Sequence, residues 1–324
     1  MLIPVLALFA GLMILIWSAE RFIEGAADFA AHLGMPPLLI GILVIGFGTS
    51  APEMIVSALS ALNRSPGIAL GNAYGSNITN IALILGLTAL IKPIMVNPSV
   101  LKKELPILTL ITLLSAFLIY DATISRVDAL VLLLVFAIYM FYTIEREMRS
   151  KKRAHSISEV PPQSRTKPSM SLRSALLLML GGLVLLVGSS QLLVWGAVQI
   201  AAYLGVSDLV IGLTIVAIGT SLPELAASVV AAKKGQADLA LGNIIGSNLF
   251  NTLAVVGIAG AIMPIQVENE IFSRDFLVML VLTLSLFLFG YGWRKKTGMI
   301  NRFEGAFLLL GYLAYTLYLL KTAL

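Results

Sequence analysis

Long apolar runs follow one another along almost the whole chain, each closed by a short polar break or a glycine- or proline-rich one. A helix needs ~20 residues to cross the hydrocarbon of a bilayer. Ten runs meet that length, at roughly 2–31, 36–62, 67–91, 101–120, 125–146, 172–203, 208–232, 238–263, 273–292 and 301–320. The pattern predicts an all-α polytopic membrane protein with ten transmembrane helices. The second, third, seventh and eighth runs carry glycine, proline and small polar residues inside them, so these helices are expected to be broken. The first run, Leu2 to Trp17, has no basic segment before it. It continues into Ser18-Ala19-Glu20-Arg21-Phe22 without a cleavage signature, and reads as a span instead of a secretory signal.

Composition agrees with this reading. Of 324 residues, 58% are hydrophobic and 12% charged, with a mean hydropathy of +0.95. A soluble domain carries about twice that charged fraction. Cysteine is absent, which excludes a disulfide framework and a thiolate metal or redox site. The largest polar interruption is 147–171, with Lys151, Lys152, Arg153, Arg165, Lys167 and the pair Pro161-Pro162. It reads as a flexible basic loop, solvated and without a nucleic-acid role. Placing it in the cytoplasm also puts Lys92, Lys102, Lys103, Lys233, Lys234, Arg294, Lys295, Lys296 and Arg302 inside. Arg64, Arg126, Arg274 and Lys321 fall outside. The termini of a multi-pass cell-membrane protein with five spans on each side of this loop are then both outside.

The chain repeats itself. Gly48-Thr49-Ser50-Ala51-Pro52-Glu53 returns 171 positions later as Gly219-Thr220-Ser221-Leu222-Pro223-Glu224. Gly71-Asn72 and Ser76-Asn77-Ile78-Thr79-Asn80 return as Gly242-Asn243 and Ser247-Asn248-Leu249-Phe250-Asn251 at the same offset. Gly25, Gly34 and Gly41 match Gly196, Gly205 and Gly212, and Glu104 matches Asp275. Near the end of each half, Arg126-Val127-Asp128 resembles Arg302-Phe303-Glu304. Five spans per half is an odd number, so the second half enters the membrane upside down. The expected organisation is a first repeat over 1–146, the loop 147–171, and a second repeat over 172–324, inverted about an axis in the membrane plane. Packing alone explains matched glycines; it does not explain matched carboxylates in apolar runs.

Those carboxylates are the chemistry. Glu53 and Glu224 lie near the middle of their spans, where a bare charge costs several kcal/mol. No lysine or arginine lies at similar depth. Either a mobile cation supplies the positive charge or the glutamates hold protons. Pro52 and Pro223 remove a helical hydrogen bond, and a glycine sits four residues before each. Unwound carbonyls at 47–50 and 218–221 can then face an ion. Thr49, Ser50, Thr220 and Ser221 precede the glutamates on the same face, and Ser57 and Ser228 extend it. Ser76, Asn77, Asn80, Ser247, Asn248 and Asn251 add amide and hydroxyl oxygen. Any one of them alone is commonly only interhelical glue. An all-oxygen set suits a hard cation, calcium or sodium. His32 and His155, at a membrane edge and in the loop, read as bystanders.

At these motifs the chain resembles the cation/calcium exchanger superfamily, and within it the prokaryotic sodium/calcium exchanger-like membrane proteins. The resemblance covers nearly the whole chain. It implies a calcium site formed by Glu53 and Glu224, which also serve sodium. It implies backbone carbonyls around Thr49 and Thr220, sodium ligands at Ser50, Ser221, Ser76 and Ser247, and a central polar position at Asn80 and Asn251. It further implies that the first and sixth helices slide across a fixed core. Many such exchangers carry aspartate where this chain has Asn251, so two carboxylates stand here in place of three. The implied function is secondary antiport of calcium against sodium by alternating access, with no enzymatic chemistry and no cofactor. The expected partners are the transported ions and membrane lipids, and the chain is expected to work as a monomer. A proton-coupled calcium or cation antiporter of the same fold, a monovalent-cation transporter and a purely structural membrane protein are the alternatives.

Overall fold

The computed structural model describes the backbone of residues 2–156, 168–205, 217–291 and 298–323; side chains at 147–156, 217 and 322–323 are outside the description. Lys151, Lys152, Arg153, His155, Pro161, Pro162, Arg165, Lys167, Gly212 and Arg294 to Lys296 therefore lie outside the described residues or side chains, as does the start of the seventh predicted span.

The described chain is helical. In order come α1 (Leu2–Leu33), α2 (Pro37–Thr49), α3 (Ala51–Leu62) and α4 (Pro66–Ile91). A wide turn at Val100–Glu104 leads into α5 (Leu105–Leu118), followed by α6 (Arg126–Ser156). The second half holds α7 (Leu172–Tyr203), α8 (Ala217–Thr220), α9 (Leu222–Lys233), α10 (Ala237–Ile262), α11 (Ile271–Gly290) and α12 (Arg302–Ala323). Seven of these helices are long and apolar enough to cross a membrane, and α2 with α3 makes a further span bent by 43°. The chain is a multi-pass membrane protein. One expectation changes. The basic segment after residue 146 continues α6 as helix to Ser156 instead of starting as loop. Its Glu, Arg, Lys and Ala residues are good helix formers with no proline among them until Pro161.

Burial sorts the helices. The apolar stretches of α4 and α10 are 72% and 89% buried, whereas those of α1, α6, α7, α11 and α12 are 28% or less. The outer helices show large apolar side chains at helical spacing: Leu130, Leu134, Ile138 and Phe141 on α6, and Phe303, Phe307, Leu310 and Leu317 on α12, are all exposed. Such faces are stable only against lipid. Two short antiparallel ribbons tie the loops. Ile94–Met95 pairs with Met299–Ile300, and Thr123–Ile124 pairs with Ile265–Gln266.

Helices α1 and α7 form an antiparallel pair. A Cβ at Gly11 would lie 2.8 Å from the Leu193 backbone nitrogen, one at Gly182 2.6 Å from that of Phe22, and one at Gly196 2.7 Å from the Pro4 carbonyl oxygen. Gly25 meets the Met179 backbone in the same way. Only glycine lets two backbones approach this closely, as small residues do at other membrane helix crossings.

Candidate ion-binding site

The two proline motifs break their helices as the sequence predicts. Pro52 and Pro223 have no N–H to return to Gly48 and Gly219. Ser50 leaves the helical path at φ −83°, ψ 1°, and Ser221 at φ −91°, ψ 7°. Each glutamate falls in the first turn of the resumed helix, where backbone N–H groups are free and the helix dipole favours an acid. A second distortion was not foreseen. Helices α4 and α10 widen to i→i+5 hydrogen bonding over Thr79–Leu85 and Asn251–Val255, at Asn80 and Asn251. Single wide turns of this kind recur at functional sites.

The breaks bring both halves together. Ser50 Oγ donates to Glu224 Oε1 at 3.3 Å. The Thr49 hydroxyl lies 3.0 Å from the Ile45 carbonyl and 3.1 Å from Asn243 Oδ1. Asn243 Nδ2 donates to the Glu224 carbonyl at 3.1 Å and to Ser228 Oγ at 2.9 Å. Across the centre, Asn80 Nδ2 donates to Asn248 Oδ1 at 3.0 Å, and Asn77 Nδ2 to Thr252 Oγ1 at 2.9 Å. Glu53 and Glu224 are each 1% exposed.

Many of the oxygens here have no donor. Among the described residues, both Glu53 carboxylate oxygens, Glu224 Oε2, Asn77 Oδ1, Asn80 Oδ1, Asn251 Oδ1, Ser221 Oγ and Ser247 Oγ are buried without a hydrogen-bond partner. Elsewhere among the described residues, only Tyr139 Oη and Gln236 Oε1 share that condition. An unsatisfied buried polar group costs about 1–3 kcal/mol, and more when charged. A cluster of them, all oxygens with lone pairs to offer, is a cradle for a hard cation.

The predicted residues do not all behave alike. Ser76 and Ser247 are buried beside the asparagines on α4 and α10. Thr220 is half-buried at the end of α8, whereas Thr49 is fully enclosed. Ser57 and Ser228 are engaged as acceptors, from Asn72 Nδ2 at 3.2 Å and from Asn243. Asn72 and Asn243 thus brace each broken helix against its neighbour, a role that sequence reasoning missed although both stand in the repeated motif. It also missed Thr252, whose repeat counterpart is Ile81 and which symmetry therefore could not flag. His32 caps a loop, its Nε2 donating to the Met170 carbonyl at 2.7 Å.

A buried, all-oxygen cradle at two facing helix breaks, inside a lipid-exposed helical shell, defines a secondary ion transporter and no enzyme active site. The chain belongs to the sodium/calcium exchanger protein family, whose profile matches residues 3–145 and 174–321. CaxA of Alkalimonas amylolytica is 44% identical over 97% of this chain and 98% of its own length. The inner membrane protein YrbG of Escherichia coli K12 is 36% identical over 91% of this chain and 90% of its own. The structure of the sodium-calcium exchanger NCX_Mj soaked with zero Na+ and Ca2+ superposes with a TM-score of 0.83 at 33% identity, covering 98% of this chain and 99% of that one.

Proposed function

We propose that this protein exchanges calcium for sodium across the membrane at one site shared between its halves, with Glu53 and Glu224 as the anionic ligands. The observation that carries this reading is the set of donor-less buried oxygens from both helix breaks. The NCX_Mj structures, obtained with sodium, calcium or strontium, supply the ion chemistry by likeness. Two carboxylates balance one calcium or two sodium ions. Ser50, Ser221, Ser76 and Ser247, the carbonyls around Thr49 and Thr220, and the amides of Asn80 and Asn251 complete the shells of about six to eight oxygens that calcium takes.

Exchange follows from electrostatics. Bare paired carboxylates moving past an apolar gate are costly, so the site changes sides only when ions neutralise it. Calcium and sodium compete for the same glutamates, and each therefore drives the other out.

The reading includes ten crossings in two inverted halves, 1–146 and 172–324, with both termini outside and 147–171 in the cytoplasm. Contacts between loops support it. One ribbon joins the loop after α4 to the loop before α12, and Lys92 Nζ donates to the Lys233 carbonyl at 3.2 Å. Lys234 pairs with Glu24 at 2.6 Å, and Asp28 accepts from Ser169 and Met170 nitrogens. All these segments share the face assigned to the cytoplasm. The second ribbon and the bond from Arg126 to the Ile262 carbonyl join segments assigned to the other face. Profile matching in two blocks, one per half, agrees with the division.

The test is radioactive calcium uptake into proteoliposomes under either a sodium gradient or a pH gradient of equal driving force. Sodium-driven uptake that E53Q abolishes is the expected result. Uptake driven by pH alone would transfer the reading to the proton-coupled alternative.

A further inference from the structure

Ser190 lies in the middle of α7 and is 1% exposed. Its hydroxyl donates to the Gly219 carbonyl oxygen at 3.0 Å. In a regular helix that carbonyl would receive the N–H of residue 223. Residue 223 is proline, so the acceptor is released by the break itself. One turn further along α7, Val194 covers Gly219, whose Cβ, if present, would strike the valine methyls. The same helix reaches the first break too: a Cβ at Gly48 would lie 2.8 Å from a Leu183 methyl. That contact is apolar.

The internal repeat shows that the polar contact is one-sided. Ser189 and its counterpart Ser18 behave alike, each returning its hydroxyl to its own helix, at 3.0 Å to Leu186 and 3.1 Å to Leu15. The counterpart of Ser190 is Ala19, which is fully buried and has no hydroxyl to offer Gly48. Ser190 therefore breaks both the pattern of its neighbour and the symmetry of the chain.

We propose that Ser190 is a positioning residue that ties α7 to the second helix break, so that ion occupancy of the second motif is transmitted to α7 through the Gly219 carbonyl while the first motif has no such tie. The proposal rests on the exchange reading for its consequence but not for its existence. A cation that draws the carbonyls of the second break toward itself competes with the serine hydroxyl for them. Release of the bond frees α7, and with it α1, which is locked to α7 through their shared glycines.

The test is hydrogen–deuterium exchange on the purified full chain in detergent without added ions, followed by calcium uptake on the same variants. S190A should raise exchange over residues 217–225 about threefold or more, since a neutral hydrogen bond is worth roughly that factor upward. S189A should match the wild type. If S190A fails to fold, S190V and S190T decide the matter, because they share a shape and differ in the hydroxyl: the valine variant should exchange fast and the threonine variant like the wild type. In transport, S190A should lower the calcium half-saturation about three- to tenfold by removing the competitor, with S190T restoring it. Wild-type exchange rates in S190A, an equal rise in S189A, or an equal rise in S190V and S190T would overturn the tie. Absence of sodium-driven calcium uptake in the wild type would instead strike the exchange reading and leave the deuterium result standing.

Discussion

Gly242→Ala probes the approach of α10 to α2 next to the site. A Cβ on Gly242 would lie 2.9 Å from Gly41 Cα and closer still to the Leu38 carbonyl oxygen, both backbone atoms. Ordinary carbon–carbon contact begins at about 3.5 Å, so the helices must part by about 0.6 Å. Overpacking of this kind costs ~1–3 kcal/mol. The measurement is the apparent melting temperature in detergent, read as the monodisperse fraction surviving heating. G242A should melt lower and lose calcium uptake, because Ser247 and Asn248 move with α10. A G242A protein as stable and active as wild type would refute the packing argument.

Other substitutions address the ligands. Glu53→Gln and Glu224→Gln should each abolish divalent-cation uptake while membrane insertion, followed by fluorescence of a fused reporter, stays intact. Ser50→Ala removes a donor to the Glu224 carboxylate, a bond to a charged group worth ~1.5–3 kcal/mol, and should raise the calcium half-saturation at least about tenfold. Ser221→Ala should leave the ion-free melting temperature unchanged, since Ser221 Oγ has no hydrogen-bond partner among the described residues, and should show its effect only in ion titrations. Asn251→Asp supplies a third carboxylate; calcium half-saturation should fall, and the ion-free protein should melt lower because another buried charge lacks a partner.

Much of this was legible in the sequence because its signals are local. Run length gave the seven spanning helices and the bent further span among the described residues, and proline after glycine gave the breaks at Ser50 and Ser221. The isolated Glu53 and Glu224 marked the proposed site, since a carboxylate in an apolar helix calls for a partner. The wide turns at Asn80 and Asn251 were not readable, because i→i+5 bonding leaves no residue signature in Thr79–Leu85 or Asn251–Val255. The bracing by Asn72 and Asn243 was hidden for another reason: which neighbour an asparagine finds depends on helix crossing, not on spacing. Ser190 carries no repeat signal, because its counterpart is Ala19. The helical start of 147–171 was missed because charge was read as loop, although charged residues are good helix formers.

The two motifs are nearly equal in sequence and unequal in structure, and that inequality bears on mechanism. Ser50 bonds Glu224, whereas Ser221 Oγ has no hydrogen-bond partner among the described residues. Asn243 is 1% exposed and holds three hydrogen bonds to its surroundings, while Asn72 is half-buried and donates to Ser57 alone among the described residues. With the halves inverted as proposed, exchanging the roles of the motifs produces the same site opened to the other side. The structure is then one of two near-mirror states, separated by a few contacts of about 1 kcal/mol each. A ligand moves such an equilibrium only by its differential affinity, and about 5.5 kcal/mol suffices to shift it from 1:99 to 99:1. Near-mirror states offer a cation the same oxygens, so neutralising the two buried carboxylates lowers the barrier between the states and leaves their balance unchanged. Ion binding at the centre therefore permits the exchange of states, and the ion gradient sets its direction, as antiport requires.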